Sequence, residues 1–204
     1  SKKPAKLSSI PSDKRITVGV VGATGYTGRQ LVRILSRHPR VRLSLVTSAR
    51  EAGRKMSDVL PQFGGICDLK LSLPEACAKT RLDALFLALG PGESGAFLEK
   101  YPFLHHTRII DLSADFRLNR KFVYGLTEVF RKKIRASRYV ANPGCYASSV
   151  LLPLYPLLKL RVLAPVWPVV IVSASGVSGA GAAPKPDTHF SEVDEDYSAN
   201  KPLR

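Results

Sequence analysis

The run Gly22-Ala23-Thr24-Gly25-Tyr26-Thr27-Gly28 follows directly on the β-branched stretch Ile16-Thr17-Val18-Gly19-Val20-Val21. Glycines at this spacing let a backbone turn tightly and approach a pyrophosphate, while the amides opening the next helix hold the anion. A ligand-free strand–helix turn would use the same glycines, so the pattern matters through its context. That context is present. Residues 16–21 read as a buried strand. Residues 29–37 read as a helix with Leu31, Ile34 and Leu35 on its apolar face, stopped by His38-Pro39. Residues 41–47 read as a second strand. The three elements form a βαβ unit, the opening of a doubly wound α/β fold of Rossmann type.

Further along, residues 84–89 form an apolar strand ending in Gly90-Pro91-Gly92, and 93–100 a helix. Strands are expected at 108–112 and 139–141. Residues 146–158 carry a helical apolar pattern that Pro153 and Pro156 should kink or break. Residues 166–174 read as a strong strand, followed by the small-residue run Ser175-Gly176-Val177-Ser178-Gly179-Ala180-Gly181. From Pro184 onward the chain is polar and loop-like. The alternation of strand and helix predicts a parallel sheet up to about residue 144.

Composition narrows the function classes. The 204 residues suffice for one large domain or two small ones, and 45% are hydrophobic. No apolar run approaches the ~20 residues of a membrane span, so a soluble protein without membrane contact is expected. The net charge of +15 suits nucleic acid or anionic small molecules. The basic residues are scattered, however, and no aromatic-and-basic RNA motif is present, so nucleic acid is not the expected partner. Three cysteines, Cys67, Cys77 and Cys145, are too few and too far apart for a disulfide framework or a zinc site, and a reducing compartment is expected. Residues 1–15 are basic but lack the apolar segment of a secretory signal. They read as a disordered tail, with the remainder of an organelle transit peptide as the alternative.

The end of the second strand selects the cofactor. An NAD site usually places Asp or Glu about twenty residues beyond the glycines. Here the chain has Thr47-Ser48-Ala49-Arg50. Ser48 can donate a hydrogen bond to a 2′-phosphate and Arg50 can bind it with charge assistance, which favours NADP. In the alternative, Arg50 is a solvated loop charge and Glu51 takes the ribose. Cys145 follows the turn Asn142-Pro143-Gly144 and opens a helix, a position that favours the thiolate, and Gly144 leaves room for a substrate to reach the sulfur. A buried structural cysteine is the alternative, and it fits Cys67 and Cys77. The small residues around Ser178 and Gly179 allow close packing on a flat ligand or an oxyanion, or serve only as a flexible connection. Of the histidines, His38 reads as structural, His105 and His106 as solvated, and His189 as a residue able to approach an active site or an ordinary surface residue.

These motifs stand in order with Asp111-Leu-Ser-Ala-Asp-Phe-Arg117 and Tyr124-Gly-Leu-Thr-Glu128. Together, over residues 16–197, they resemble the N-acetyl-gamma-glutamyl-phosphate reductases of arginine biosynthesis. The resemblance implies NADP(H) held by Gly22, Thr24, Gly25, Tyr26, Thr27 and Gly28, by Ser48 and Arg50, and by Ser178 and Gly179. It implies that Cys145 is the nucleophile, attacking an acyl phosphate to give a thioester that accepts a hydride. Ser113, Arg117 and Asn142 are implied at the substrate, and no metal is implied. It further implies a Rossmann-type domain over 16–144, the start of an α+β catalytic and dimerisation domain over 145–204, a homo-oligomer, and a cytoplasmic or organellar location.

The sequence departs from the family pattern in places. Only residues 118–123 separate the Asp-Phe-Arg motif from Tyr124, and Gly90 stands where the pattern has Pro. The family's catalytic His lies downstream of features seen here at Ser191-Glu192 and Tyr197, and the sequence stops at Arg204. Binding of NADP with poor catalysis is therefore expected of these residues alone. Aspartate-semialdehyde dehydrogenase, a reductase of carrier-bound aminoadipate, and a non-catalytic NADP-binding protein are the competing readings.

Overall fold

The computed structural model describes residues 15–163 and 168–180. The expectations that concern the basic N-terminal tail, His189, Ser191-Glu192 and Tyr197 lie outside the described residues, save for Arg15.

In chain order the regular elements are β1 (Ile16–Val21), α1 (Tyr26–Ser36), β2 (Val41–Val46), α2 (Met56–Val59), β3 (Ala84–Leu87), α3 (Glu93–Lys100), β4 (Arg108–Asp111), β5 (Val123–Tyr124), α4 (Thr127–Ala136), β6 (Tyr139–Ala141) and α5 (Cys145–Lys159). The strands form one sheet in the order β2-β1-β3-β4-β6-β5, and every pairing is parallel. The carboxyl ends of all strands therefore lie along one edge. The chain leaves β1 toward β2 on one side and returns to β3 on the other, which opens a crevice between the ends of β1 and β3.

Strand periodicity divides the core between the two faces. Val18 and Val20 of β1 pack on one face with Val32 and Leu35 of α1, Met56 and Phe63. Val21 packs on the other with Leu85 and Leu87 of β3 and Phe97 of α3. Both faces are covered, as an all-parallel sheet requires. Gly19 is fixed by this packing, since a Cβ there would stand 2.9 Å from methyl carbons of Leu82 and Leu85.

Four local expectations need correction. Helix α1 starts at Tyr26, three residues before the expected 29, because Gly25 is its extended N-cap at φ −71°, ψ 162°. Its buried face is Gly28, Val32 and Leu35, whereas Ile34 is 61% exposed. Helix α5 begins on Cys145 and runs unbroken through Pro153 and Pro156 to Lys159. Residues 168–176 contain no strand. Val170 and Val172 are 86% and 91% exposed, and a β-branched run forms a strand only where a neighbour completes its hydrogen bonds. Residues 177–180 form one 3-10 turn, Val177–Ala180.

No helix among the described residues is long and apolar enough to cross a membrane.

Candidate active site

The loop after β1 takes its shape from two glycines. Gly22 lies at φ +78°, and a Cβ on it would stand 2.3 Å from the Ala88 carbonyl oxygen. A Cβ on Gly28 would stand 2.1 Å from the Gly22 oxygen and 2.8 Å from the Ala23 Cα. These two let the loop close tightly against β3 and let α1 start beneath it. Gly25 differs, because its Cβ would meet nothing nearer than the Gly22 oxygen at 3.5 Å. It leaves the N-terminus of α1 without a side-chain cap, and no acidic residue stands in the first turn. Uncapped amides and a residue without a side chain fit the pyrophosphate of a dinucleotide. Tyr26 and Thr27 are exposed at this opening.

The tip of β2 is tied to the same loop. The Ala23 amide donates to the Thr47 carbonyl at 2.9 Å, and the Thr24 and Ser48 hydroxyls are hydrogen-bonded at 3.0 Å. Ser48 is buried and also accepts from the Glu51 amide at 3.3 Å. Arg50 is exposed beside it. Glu51 is ion-paired with Arg54 at 2.6 Å, which draws its carboxylate into a local salt bridge. One further residue joins this opening without belonging to the glycine motif. The Arg29 Nε donates to the Thr24 carbonyl at 2.7 Å, and its guanidinium carbon lies 5.4 Å from the centre of the Tyr26 ring.

The second half of the site forms at the ends of β4 and β6. The buried Asp111 accepts the Ser113 hydroxyl at 2.7 Å. Ser113 in turn accepts the Asp115 amide at 3.0 Å. The Asp115 carboxylate accepts the amides of Gly92 and Gly95, at 2.7 and 3.0 Å, and so caps the start of α3. Two residues further, Arg117 turns toward β6. Its Nε donates to the Asn142 carbonyl at 3.2 Å, and a Cβ on Gly144 would stand 3.0 Å from its Nη1. Gly125, after β5, donates its amide to Ala141 at 2.8 Å and packs closely on Asn142 and Pro143.

Cys145 is exposed at the first residue of α5. Cys67 and Cys77 are buried in the two halves of the core, and burial pushes the Cys77 thiol up to about 12. Among the three, only Cys145 is open to a substrate. Asn142 is exposed and its side-chain amide donates to the Pro143 carbonyl at 3.1 Å. Ser113 lies in the same region but is buried, with its hydroxyl committed to Asp111 and Asp115. The structure thus brings Arg117 and Asn142 to the cysteine turn and buries Ser113 just after β4. Ser178 and Gly179 lie in the 3-10 turn, where the Gly179 amide donates to Gly176 at 2.9 Å. His38 accepts the Arg40 amide on Nδ1 at 3.2 Å, in a structural role.

The sheet places both halves on one edge. The glycine loop, the β2 tip, the start of α3 and the cysteine turn all follow strand carboxyl ends. The β1–β3 crevice and the thiol after β6 lie along the same edge of the sheet, an arrangement that would suit hydride transfer to a thiol-bound group. Among the described residues no cluster of His, Cys, Asp and Glu could hold a metal ion.

The chain matches known proteins over both of its halves. Residues 17–137 match the family model "Semialdehyde dehydrogenase, NAD binding domain", and residues 145–203 match "Semialdehyde dehydrogenase, dimerisation domain". Among curated proteins, an N-acetyl-gamma-glutamyl-phosphate reductase of Afipia carboxidovorans is 40% identical over 89% of this chain and 58% of its own length. A probable chloroplastic enzyme of that name from Oryza sativa is 36% identical over 95% of this chain and 51% of its own. The chain spans between half and three-fifths of these two relatives. Among solved structures, aspartate semialdehyde dehydrogenase II of Vibrio cholerae superposes with a TM-score of 0.59 at 22% identity, covering 72% of this chain and 43% of that one. The Candida albicans enzyme, solved with NADP, gives 0.56 at 19%, covering 72% and 47%. At these identities the structural likeness shows the fold.

Proposed function

Because this chain belongs to the semialdehyde dehydrogenase family, we propose that it is the NADP-binding and cysteine-bearing part of an N-acetyl-gamma-glutamyl-phosphate reductase. The observation that carries the reading is the exposed Cys145 at the start of α5, with the Arg117 guanidinium against the turn before it. The curated relatives at 36–41% identity bear the reductase name, which favours it over the aspartate enzyme.

In this reading the Cys145 thiolate attacks the acyl carbon of N-acetylglutamyl 5-phosphate. The carbon–sulfur bond forms, the carbon–oxygen bond to phosphate breaks, and phosphate leaves with the electron pair. Arg117 receives the phosphate charge, for which its planar fork is suited, and Asn142 lines the approach. Ser113, whose hydroxyl is already used by Asp111 and Asp115, holds the loop after β4 that carries Arg117. Bound NADPH would supply the hydride needed to bring the thioester to the aldehyde level. Gly22, Gly25 and Gly28 would give it a close approach to the backbone, Thr24, Tyr26 and Thr27 would hold its phosphates, and Ser48 and Arg50 would take the 2′-phosphate. Ser178 and Gly179 of the later small-residue turn would also help to hold it. Collapse of the reduced adduct frees the semialdehyde and returns the thiolate.

The proposed organisation is a basic tail over 1–15, a cofactor domain over 16–144 and the start of a catalytic and dimerisation domain over 145–204. Exposed Leu151, Leu152, Tyr155 and Leu158 on α5 support burial of that surface in a homo-oligomer. The small-molecule acyl phosphate is the proposed substrate, without a membrane or nucleic-acid partner. The location is the cytoplasm, or an organelle if residues 1–15 are the remainder of a transit peptide.

The test is phosphate-dependent reduction of NADP with N-acetylglutamate 5-semialdehyde, comparing the chain with its Cys145→Ser variant and repeating with aspartate semialdehyde. A low rate that depends on Cys145 and on the acetylated substrate is expected. Equal rates with and without the sulfur would refute the mechanism.

A further inference from the structure

Arg29 stands at the end of the first turn of α1, where a helix presents its positive end. A cation there opposes the helix dipole, and no acidic residue in that turn offsets it. The side chain is nonetheless held in place. Nε donates to the Thr24 carbonyl at 2.7 Å, and the guanidinium faces the Tyr26 ring with its carbon 5.4 Å from the centre. Both contacts turn it back over the glycine loop. Thr24 is itself joined to Ser48 at the tip of β2, hydroxyl to hydroxyl at 3.0 Å. A continuous set of contacts therefore runs from the Arg29 guanidinium through Thr24 to Ser48, with Arg50 two residues beyond.

We infer that Arg29 is a further specificity-determining residue, which receives the ribose 2′-phosphate of NADP together with Ser48 and Arg50 and so discriminates NADP from NAD. The inference rests on the reading of the glycine loop as a dinucleotide site. Its physical basis is the division of labour within the guanidinium. Nε is spent on Thr24 and fixes the plane, while the two terminal amino groups make no hydrogen bond among the described residues. Two parallel N–H donors in a fixed plane match two oxygens of a phosphate monoester. The anion would also neutralise the cation that the helix end disfavours. The ordinary requirement for a carboxylate at the β2 tip then disappears, because a carboxylate would repel the added phosphate.

The test uses the 204-residue chain and measures dissociation constants for NADPH and for NADH by fluorescence titration, for the parent, Arg29→Gln and Arg29→Lys. The parent is expected to prefer NADPH. Arg29→Gln is expected to weaken NADPH by roughly tenfold or more, the effect of losing a charge-assisted pair, and to leave NADH within about twofold. Arg29→Lys keeps the charge but not the fork, and is expected to fall between them on NADPH alone. Equal weakening of both dinucleotides would show that Arg29 only shapes the loop, and unchanged NADPH binding would show that it does not reach the phosphate. Either overturns the inference while the dinucleotide site stands. A parent that binds neither dinucleotide overturns the site itself. Should Arg29→Gln melt early by circular dichroism, Arg29→Lys decides the matter by the same NADPH-to-NADH comparison.

Discussion

Arg117 and Gly144 are in direct apposition: a Cβ on Gly144 would stand 3.0 Å from the Arg117 Nη1, and the same guanidinium donates through Nε to the Asn142 carbonyl at 3.2 Å. One arginine thus braces the turn that delivers Cys145 to the surface. Gly144 itself has ordinary extended backbone angles, φ −70° and ψ 158°. Its requirement for glycine comes from the arginine and from the space before the sulfur, rather than from the chain direction.

Gly144→Ala should therefore fold, with Arg117 displaced by a few tenths of an ångström. Arg117→Lys should also fold but lose the bidentate fork, lowering semialdehyde turnover by roughly 100-fold while NADPH binding holds. Steady-state rates alongside cofactor titration check this. A fall in NADPH affinity matching the fall in rate would contradict the assignment of Arg117 to the substrate side.

The glycines of the loop should separate into two kinds. Gly28→Ala drives a methyl into the Gly22 and Ala23 backbone and should cost at least about 3 kcal/mol in urea unfolding. Gly25→Ala meets only an ordinary contact. It should leave the unfolding midpoint nearly unchanged and weaken NADPH binding roughly tenfold or more by blocking the approach of the phosphates.

Ser113→Ala removes the hydroxyl that donates to the buried Asp111 carboxylate and accepts from Asp115. The other Asp111 oxygen, Oδ1, has no hydrogen-bond partner among the described residues. The variant should lose about 1–3 kcal/mol of stability, measured by denaturant titration. Loss of catalysis with unchanged stability would instead place the hydroxyl at the substrate.

The cysteines should differ in reactivity. At neutral pH a small alkylating reagent should modify Cys145 in the folded chain and reach Cys67 and Cys77 only on unfolding, read by mass spectrometry of the peptides. Burial raises the Cys77 thiol from 9.0 to about 12. The folded state then holds this proton where the unfolded state releases it. The associated stability is complete below about pH 9 and is lost as pH rises toward 12. Cys77→Ala should flatten that part of the stability profile, whatever the cost of the substitution itself.

What was legible in the sequence was local. The strand of residues 16–21 shows in its apolar β-branched run, and the loop that follows in its glycines, because both depend on neighbours in the chain. Helix α3 and strand β6 fall where the pattern places them. Helix α4 is not legible in the sequence, since no residue in Thr127–Ala136 is buried and a charged run hides the apolar period. Strand β5 has two residues, too few for alternation to register. The apolar run at 166–174 was legible as a strand in propensity alone, and its described part is coil, because hydrogen-bonded pairing is not a property of one segment.

The sequence by itself determined a glycine loop behind a strand, a cysteine at a turn before a helix, and the chemistry each residue type could perform. Only the tertiary structure decided which of these meet. Parallel pairing in the order β2-β1-β3-β4-β6-β5 carries every strand end to one edge. There, residues more than twenty positions apart come within hydrogen-bonding distance: Thr24 with Ser48, Gly92 with Asp115, and Arg117 with Asn142. Such distances follow from strand order and side-chain packing, which one-dimensional periodicity does not encode.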